Sequence, residues 1–193
     1  AIAKGETSFS KIINETGIEK TTLPKYLQAL EQIRFIEREI PFGESALKKG
    51  RYRISDNFLN FWFKYIFPNK YLLELGREQQ VAETILNDYD NYMGRRFEEI
   101  GKAILLHAEP EISSISRWWH NDCEIDAVAT NAGKTITWFA EIKWGKLSAA
   151  EAGREITALK QKIGEYKPKT SVKIAIIARE IADQGTIYGR AEL

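Results

Sequence analysis

The sequence predicts an α/β protein of the α+β kind: a small helical module with a two-stranded sheet, then a mixed sheet flanked by helices. Three observations predict it. Apolar residues recur at three- and four-residue spacing through most of the chain up to residue 106, broken by alternating stretches at residues 35–40 and 51–55. Strand-like patterns separated by turn residues occupy residues 114–144. A capped helical stretch then separates these strands from Val172-Lys173-Ile174-Ala175-Ile176-Ile177-Ala178, a near-continuous apolar run typical of a buried parallel strand.

The 193 residues suffice for one or two small domains. With 44% hydrophobic and 28% charged residues, disorder is not the expected state. Cys123 is the single cysteine, so an intramolecular disulfide is excluded and nothing argues for secretion. No signal peptide opens the sequence. The aromatic run from Phe58 to Phe67 contains Asn60 and Lys64 and is too short to span a bilayer. The expectation is a cytoplasmic protein with no membrane partner. Ala1 stands where an initiator methionine would, and the first residues read as mid-helix, so the chain is expected to be a fragment of something longer.

The net charge is +1, unevenly spread. Residues 1–70 hold 12 of the 28 Lys and Arg and 8 of the 27 Asp and Glu, leaving 16 against 19 for the remainder. A basic first third suits a phosphate backbone, and it equally suits a mildly basic solvated face.

Residues 10–16 read as a short helix with Ile12 and Ile13 inward, stopped at Gly17. Thr21 or Thr22 is a natural cap for a second helix, with Pro24 in its first turn and Leu23, Tyr26, Leu27 and Leu30 on one stripe. Residues 35–40 and 51–55 alternate as two strands around a basic loop. The order resembles a winged helix-turn-helix over residues 8–67. As a DNA-binding surface it offers Lys20, Lys25 and Gln28 on the recognition helix, with Lys48, Lys49 and Arg51 on the wing. Winged helices also serve as protein contacts and spacers. Residues 56–67 form an aromatic-rich helix with Asp56 as cap and Pro68-Asn69 as terminator. Its rings are read as packing rather than a base-stacking platform. The domain reading is residues 1–67, a helical connector at 68–88, and a second domain at 89–193.

The second domain opens with an amphipathic helix over 89–106, carrying Tyr89, Tyr92, Met93, Phe97, Ile100 and Ile104 on its stripe and Glu98 and Glu99 mid-helix. Strands are expected at 114–120, 123–129 and 135–144, with a turn at Asn131-Ala132-Gly133. Ser148 and Glu151 form a capping box that opens a helix running to about Tyr166. Two features break the apolar pattern. Asp126 lies between Ile125 and Ala127, and Glu141 and Lys143 sit two apart on one strand, hence on one face. If Asp126 shares that face, two carboxylates and an ammonium converge. Carboxylate oxygens with waters suit Mg²⁺ or Mn²⁺, which lowers the pKa of bound water and offsets charge on a phosphoryl group. Lys143 then holds or deprotonates the attacking water, or stabilises the transition state. Glu98, or less favourably Glu99, adds a ligand from the helix.

Ile125-Asp126, the fifteen-residue spacing to Glu141, and Glu141-Ile142-Lys143 resemble the signature of PD-(D/E)XK nucleases, and Phe97-Glu98 matches that family's helical glutamate. The resemblance covers about residues 89–180 and implies a restriction-endonuclease-like domain with Asp126, Glu141, Lys143 and Glu98 as catalytic residues. Asp126, Glu141 and Glu98 would hold the metal. Trp118-Trp119, Glu124-Ile125-Asp126 and Glu141-Ile142-Lys143-Trp144, together with the upstream winged helix, resemble the carboxyl-terminal part of archaeal-type P-loop ATPases. That implies a DNA-acting hydrolase attached to an ATPase module outside this chain. Ile125 stands at the family's proline position, and Gln161 and Tyr166 are one residue too far apart for a Gln-x-x-x-Tyr motif. Gly94 through Gly101-Lys102-Ala103 only approximates a Walker A sequence and lies within a helix. The other function class consistent with these residues is a non-catalytic DNA-binding, regulatory or protein-interaction module.

Overall fold

The structure, a computed structural model, is α+β and describes residues 1–44, 50–182 and 188–192. The chain divides into two compact units, Ala1–Ile40 with Glu44–Tyr89, and Pro41–Gly43 with Asp90–Leu193.

In the first unit, α1 (Phe9–Thr16) is capped by Ser8, whose hydroxyl accepts from the Lys11 N–H at 3.4 Å, and it ends on left-handed Gly17. Helix α2 (Leu23–Gln32) carries Pro24 in its first turn. Thr22 occupies the cap position with helical backbone angles, and its hydroxyl makes no cap bond. Strands β1 (Ile36–Glu39) and β2 (Arg51–Ile54) pair antiparallel, with Ile36 opposite Ile54 and Glu39 opposite Arg51. Ile12, Leu23, Leu27, Ile36, Tyr52 and Ile54 close a common core. This is the winged helix-turn-helix outline. Lys48 and Lys49 lie outside the described residues.

The aromatic segment runs further than its sequence suggests. Asp56 caps α3 (Asn57–Phe61) by accepting from the Leu59 N–H at 2.8 Å. The chain then widens into a π-helical stretch at Trp62–Ile66, tightens to 3₁₀ at Phe67–Asn69, and continues as α4 (Lys70–Glu74). Pro68 does not stop it, because it falls where the π-helical stretch gives way to 3₁₀, so the regular i→i−4 ladder that its missing N–H would interrupt is already broken there. Gly76, at φ 67°, marks the break instead. Tyr65 is buried and its hydroxyl donates to Asp88 at 2.7 Å, whereas Phe58 and Phe67 remain 68% and 57% exposed. An apolar groove of about 510 Å³ lies between α1, α2 and this segment, with Leu27, Leu30, Phe63 and Phe67 in its walls.

Helix α5 (Glu78–Ala108) contains the expected 89–106 helix as its later part. The second unit's sheet follows: β3 (Ile112–His120), β4 (Cys123–Asn131), β5 (Ile136–Leu147), β6 (Ser171–Ile181) and β7 (Tyr188–Glu192), in that spatial order. β5 and β6 are parallel and every other neighbouring pair is antiparallel. The parallel pair needs a crossover, supplied by α6 (Ala149–Tyr166) with its Ser148–Glu151 capping box. The edge strand β7 was not anticipated from sequence.

Both faces of the sheet are covered, which explains the unbroken apolar run of β6. On one face Leu159 and Ile163 of α6 pack on Ile125, Val128, Phe139 and Ile174. On the other, Phe97 and Leu105 of α5 pack on Ala127, Trp138, Ala140 and Ile142. Each such fully buried large side chain contributes roughly 1.5–3 kcal/mol. Gly101 permits the α5 contact: a Cβ there would stand 2.5 Å from Ile142 Cγ2. Among the described residues no helix is long and apolar enough to cross a membrane.

Candidate active site

The site forms where β4 and β5 stop pairing. Their ladder ends at Ala127 opposite Ala140, so the next two positions are Asp126 and Glu141. On its other side β4 pairs Ser116 with Val128 but Trp118 with Ile125, which leaves Asp126 and Ala127 together facing Arg117. Two residues against one is a β-bulge, a device that re-aims a side chain. The phase shift is visible in the core, where Ile125 and Val128, three apart, share the α6 face. Asp126 Oδ2 accepts the Ile142 N–H at 2.9 Å, taking the place of a ladder carbonyl.

Glu141 and Lys143 share a face, as strand alternation requires, and that face looks toward α6. Glu141 is only 5% exposed. Lys143 Nζ donates to its Oε1 at 2.9 Å, and Lys162 Nζ reaches both Oε1 and Oε2 at 3.0 Å. Lys143 also pairs with Glu155 at 3.4 Å.

Glu98 comes from α5, one turn before Gly101, and its carboxyl lies 3.3 Å from Arg117 Nη1. Arg117 also pairs with Glu124. Glu99 instead points outward and pairs with Lys102 at 3.0 Å. Glu98, Asp126, Glu141 and Lys143 line one cleft of about 330 Å³. Trp144 forms a wall, its indole N–H donating to Asp90 at 3.1 Å, its ring edge-on to Phe97, and Arg179 stacked 4.8 Å over it.

Burial, reinforced by the nearby Glu141 charge and opposed by the Ile142 N–H and by Lys143, pushes Asp126 up to about 6. Burial pushes Glu98 up to about 7, against Arg117 and with Asp126. Burial alone would lower Lys143, but the Glu141 carboxylate outweighs it, with help from Glu155 and Asp126, and holds the ammonium above its usual range. Lys143 therefore stays charged at neutral pH and donates hydrogen bonds rather than acting as a base.

The donors are hard oxygens, which suit Mg²⁺ or Mn²⁺ with waters completing the shell. Asp126 and Glu141, adjacent past the end of the β4–β5 ladder and lining the same cleft, are the pair that could hold such an ion. Among the described residues no three Asp, Glu, His or Cys side chains gather as a metal-holding group. Glu98, expected as a third ligand, lines the same cleft with its carboxyl against Arg117.

The nucleic-acid candidates are separately placed. Lys20 is exposed in the turn before α2, and Lys25 and Gln28 are exposed on α2, three apart and so on neighbouring turns. Arg51 opens β2, half-buried opposite Glu39. The sequence reading missed Lys162 and Arg117. Lys162 had a signal: it lies seven residues after Glu155, two turns along α6, beside the buried Leu159 and Ile163. Arg117 had none, since its role depends on the bulge.

Residues 62–156 match the DUF234 family, described as archaea bacterial proteins of unknown function. An uncharacterized protein of Methanocaldococcus jannaschii is 40% identical over 154 residues, which is 76% of this chain and 35% of that relative. The chain therefore spans about a third of the length of the curated relative it matches. No solved structure matches the chain. The chain is thus similar to archaeal proteins whose function is not established, across a region that includes Glu98, Asp126, Glu141 and Lys143.

Proposed function

We infer that the second unit is a divalent-metal-dependent, nuclease-like domain acting on DNA. The observation that carries this reading is the shared cleft: a bulged strand and its neighbour bring Asp126, Glu141 and Lys143 together, with Glu98 beside them. Asp126 and Glu141 would hold Mg²⁺ or Mn²⁺. Such an ion, when bound, lowers the pKa of a coordinated water and offsets charge on a phosphoryl oxygen. Lys143, kept protonated by Glu141, donates to a phosphate oxygen as negative charge develops there. Glu98, raised to about 7 beside Arg117, changes protonation near neutrality and donates a hydrogen bond in its protonated form.

The winged-helix unit would contact DNA through Lys20, Lys25 and Gln28, with Lys48, Lys49 and Arg51 on the wing. By its resemblance to archaeal-type P-loop ATPases, the chain would follow an ATPase module in a longer protein. The much greater length of the archaeal relative is consistent with that.

A second reading has its own support. Glu141 already carries two ammonium partners, which suits a non-catalytic DNA-binding or regulatory module. The two are separated by incubating supercoiled and single-stranded DNA with the protein in Mg²⁺ or Mn²⁺. The nuclease reading expects cleavage that Asp126→Asn and Glu141→Gln abolish while the unfolding midpoint stays close to wild type. Cleavage that persists in both variants rejects it. Salt-dependent DNA binding without cleavage supports the second reading.

A further inference from the structure

Lys162 stands in an unusual position relative to the site. Its ammonium spans Glu141, 3.0 Å from each carboxylate oxygen. Lys143 adds a contact to Oε1 at 2.9 Å. A carboxylate offers about four lone-pair positions. Three contacts are in place, so the acceptor position left over is on Oε2.

The helix is fixed for this arrangement. Leu159 and Ile163, flanking Lys162, are buried in the core and set the rotation of α6. Two turns earlier, Glu155 receives Lys143. The helix thus offers β5 a carboxylate opposite Lys143 and an ammonium opposite Glu141. Lys162 is not in the cleft lining that holds Asp126, Glu141 and Lys143, so it approaches Glu141 from the α6 side.

We propose that Lys162 is a built-in counter-cation for Glu141, and that a divalent ion binds between Asp126 and Glu141 by exchange, with Lys162 giving up its bonds as the ion takes the carboxylate. The proposal rests on the metal site proposed above. Two ammoniums occupy three of the acceptor positions of Glu141, so an ion that takes this carboxylate has to displace or crowd one of them. An arriving dication meets like charges at contact range, where solvent screening is weak. One of the two ammoniums has to retreat. Both side chains are about a third exposed, but Lys143 is also held by Glu155, whereas among the described residues Glu141 is the ion-pair partner of Lys162, so Lys162 is the one free to turn to water. Lys162 is accordingly a positioning residue. It holds Glu141 in its rotamer while no ion is present, and it sets how tightly an ion binds.

The test is Mn²⁺ titration of the whole chain without DNA, read by the electron paramagnetic resonance of free Mn²⁺. Lys162→Met is expected to bind Mn²⁺ at least tenfold more tightly than wild type. Lys162→Arg, whose planar fork grips both oxygens, is expected to bind several-fold more weakly. A residue that merely supported the fold would not shift affinity in opposite directions. Lys162→Arg keeps the charge and carries the test if Lys162→Met does not fold. Mn²⁺ binding that Asp126→Asn abolishes but Lys162→Met fails to tighten overturns the exchange and leaves the metal site standing. Binding insensitive to Asp126→Asn, or absent from both wild type and Lys162→Met, overturns the metal site and the exchange with it.

Discussion

The N–H of Ile142 donates to Oδ2 of Asp126 at 2.9 Å, at the first position where β4 and β5 cease to pair. One carboxylate oxygen thereby substitutes for a strand carbonyl, and the other is left for the cleft. Stability and proposed ion binding are therefore divided between the two oxygens of one side chain.

That division makes replacements of Asp126 unequal. Asp126→Asn retains an oxygen for the Ile142 N–H, whereas Asp126→Ala leaves that N–H without it at a cost of about 1–3 kcal/mol. Urea unfolding at pH 7 is expected to show Asp126→Ala as the less stable of the two. Both are expected to lose metal-dependent DNA cleavage.

Glu98 makes the second unit sensitive to pH. Its pKa rises from 4.5 to about 7 on folding, so the folded form binds the proton more tightly than the unfolded one. The stabilisation is complete below pH 4.5 and is lost as pH rises through about 7, a change on the order of 3 kcal/mol. Asp126, raised from 3.8 to about 6, adds in the same direction. Urea midpoints followed by tryptophan fluorescence without divalent ions are expected to be higher at pH 5 than at pH 8. Glu98→Gln is expected to flatten that slope, and an unchanged slope would refute the assignment.

Gly101 sets the distance between α5 and the sheet. A methyl group there would overlap Ile142 Cγ2, so Gly101→Ala is expected to destabilise by about 1–3 kcal/mol despite alanine's better helix propensity. Ile142→Ala in the same chain is expected to recover part of that loss. Additive effects in a double-mutant cycle would show that the two residues are not in contact.

If the winged-helix unit meets DNA through α2, Lys20→Ala and Lys25→Ala should weaken binding uniformly across sequences. Each should reduce the slope of log affinity against log salt by about one. Equal slopes for wild type and both variants, measured by fluorescence anisotropy, would remove α2 from the interface.

Most of the architecture was legible in the sequence because it depends on local periodicity and caps. The Ser148–Glu151 box, the buried run of β6 and the two strands β1 and β2 all follow from neighbours along the chain. Pro68 was misread because its effect depends on helix type: it terminates an α-helix interior but opens a 3₁₀ turn. Strand β7 was missed because an edge strand needs little apolar signal. At the site, Glu141 and Lys143 were readable from alternation alone. The Arg117 clasp on Glu98 was not, because it depends on which residue faces a bulge two strands away from β6.

The extra residue in β4 gives one strand two frames. From Val128 to Thr130 the chain keeps one step with β3, and from Ile125 back to Cys123 it is displaced by one place. Deleting Ala127 would restore one residue against one opposite Arg117 and give Asp126 the place Ala127 now holds. A gain of order would then dismantle the proposed site, so strand length matters to it as much as side-chain identity does.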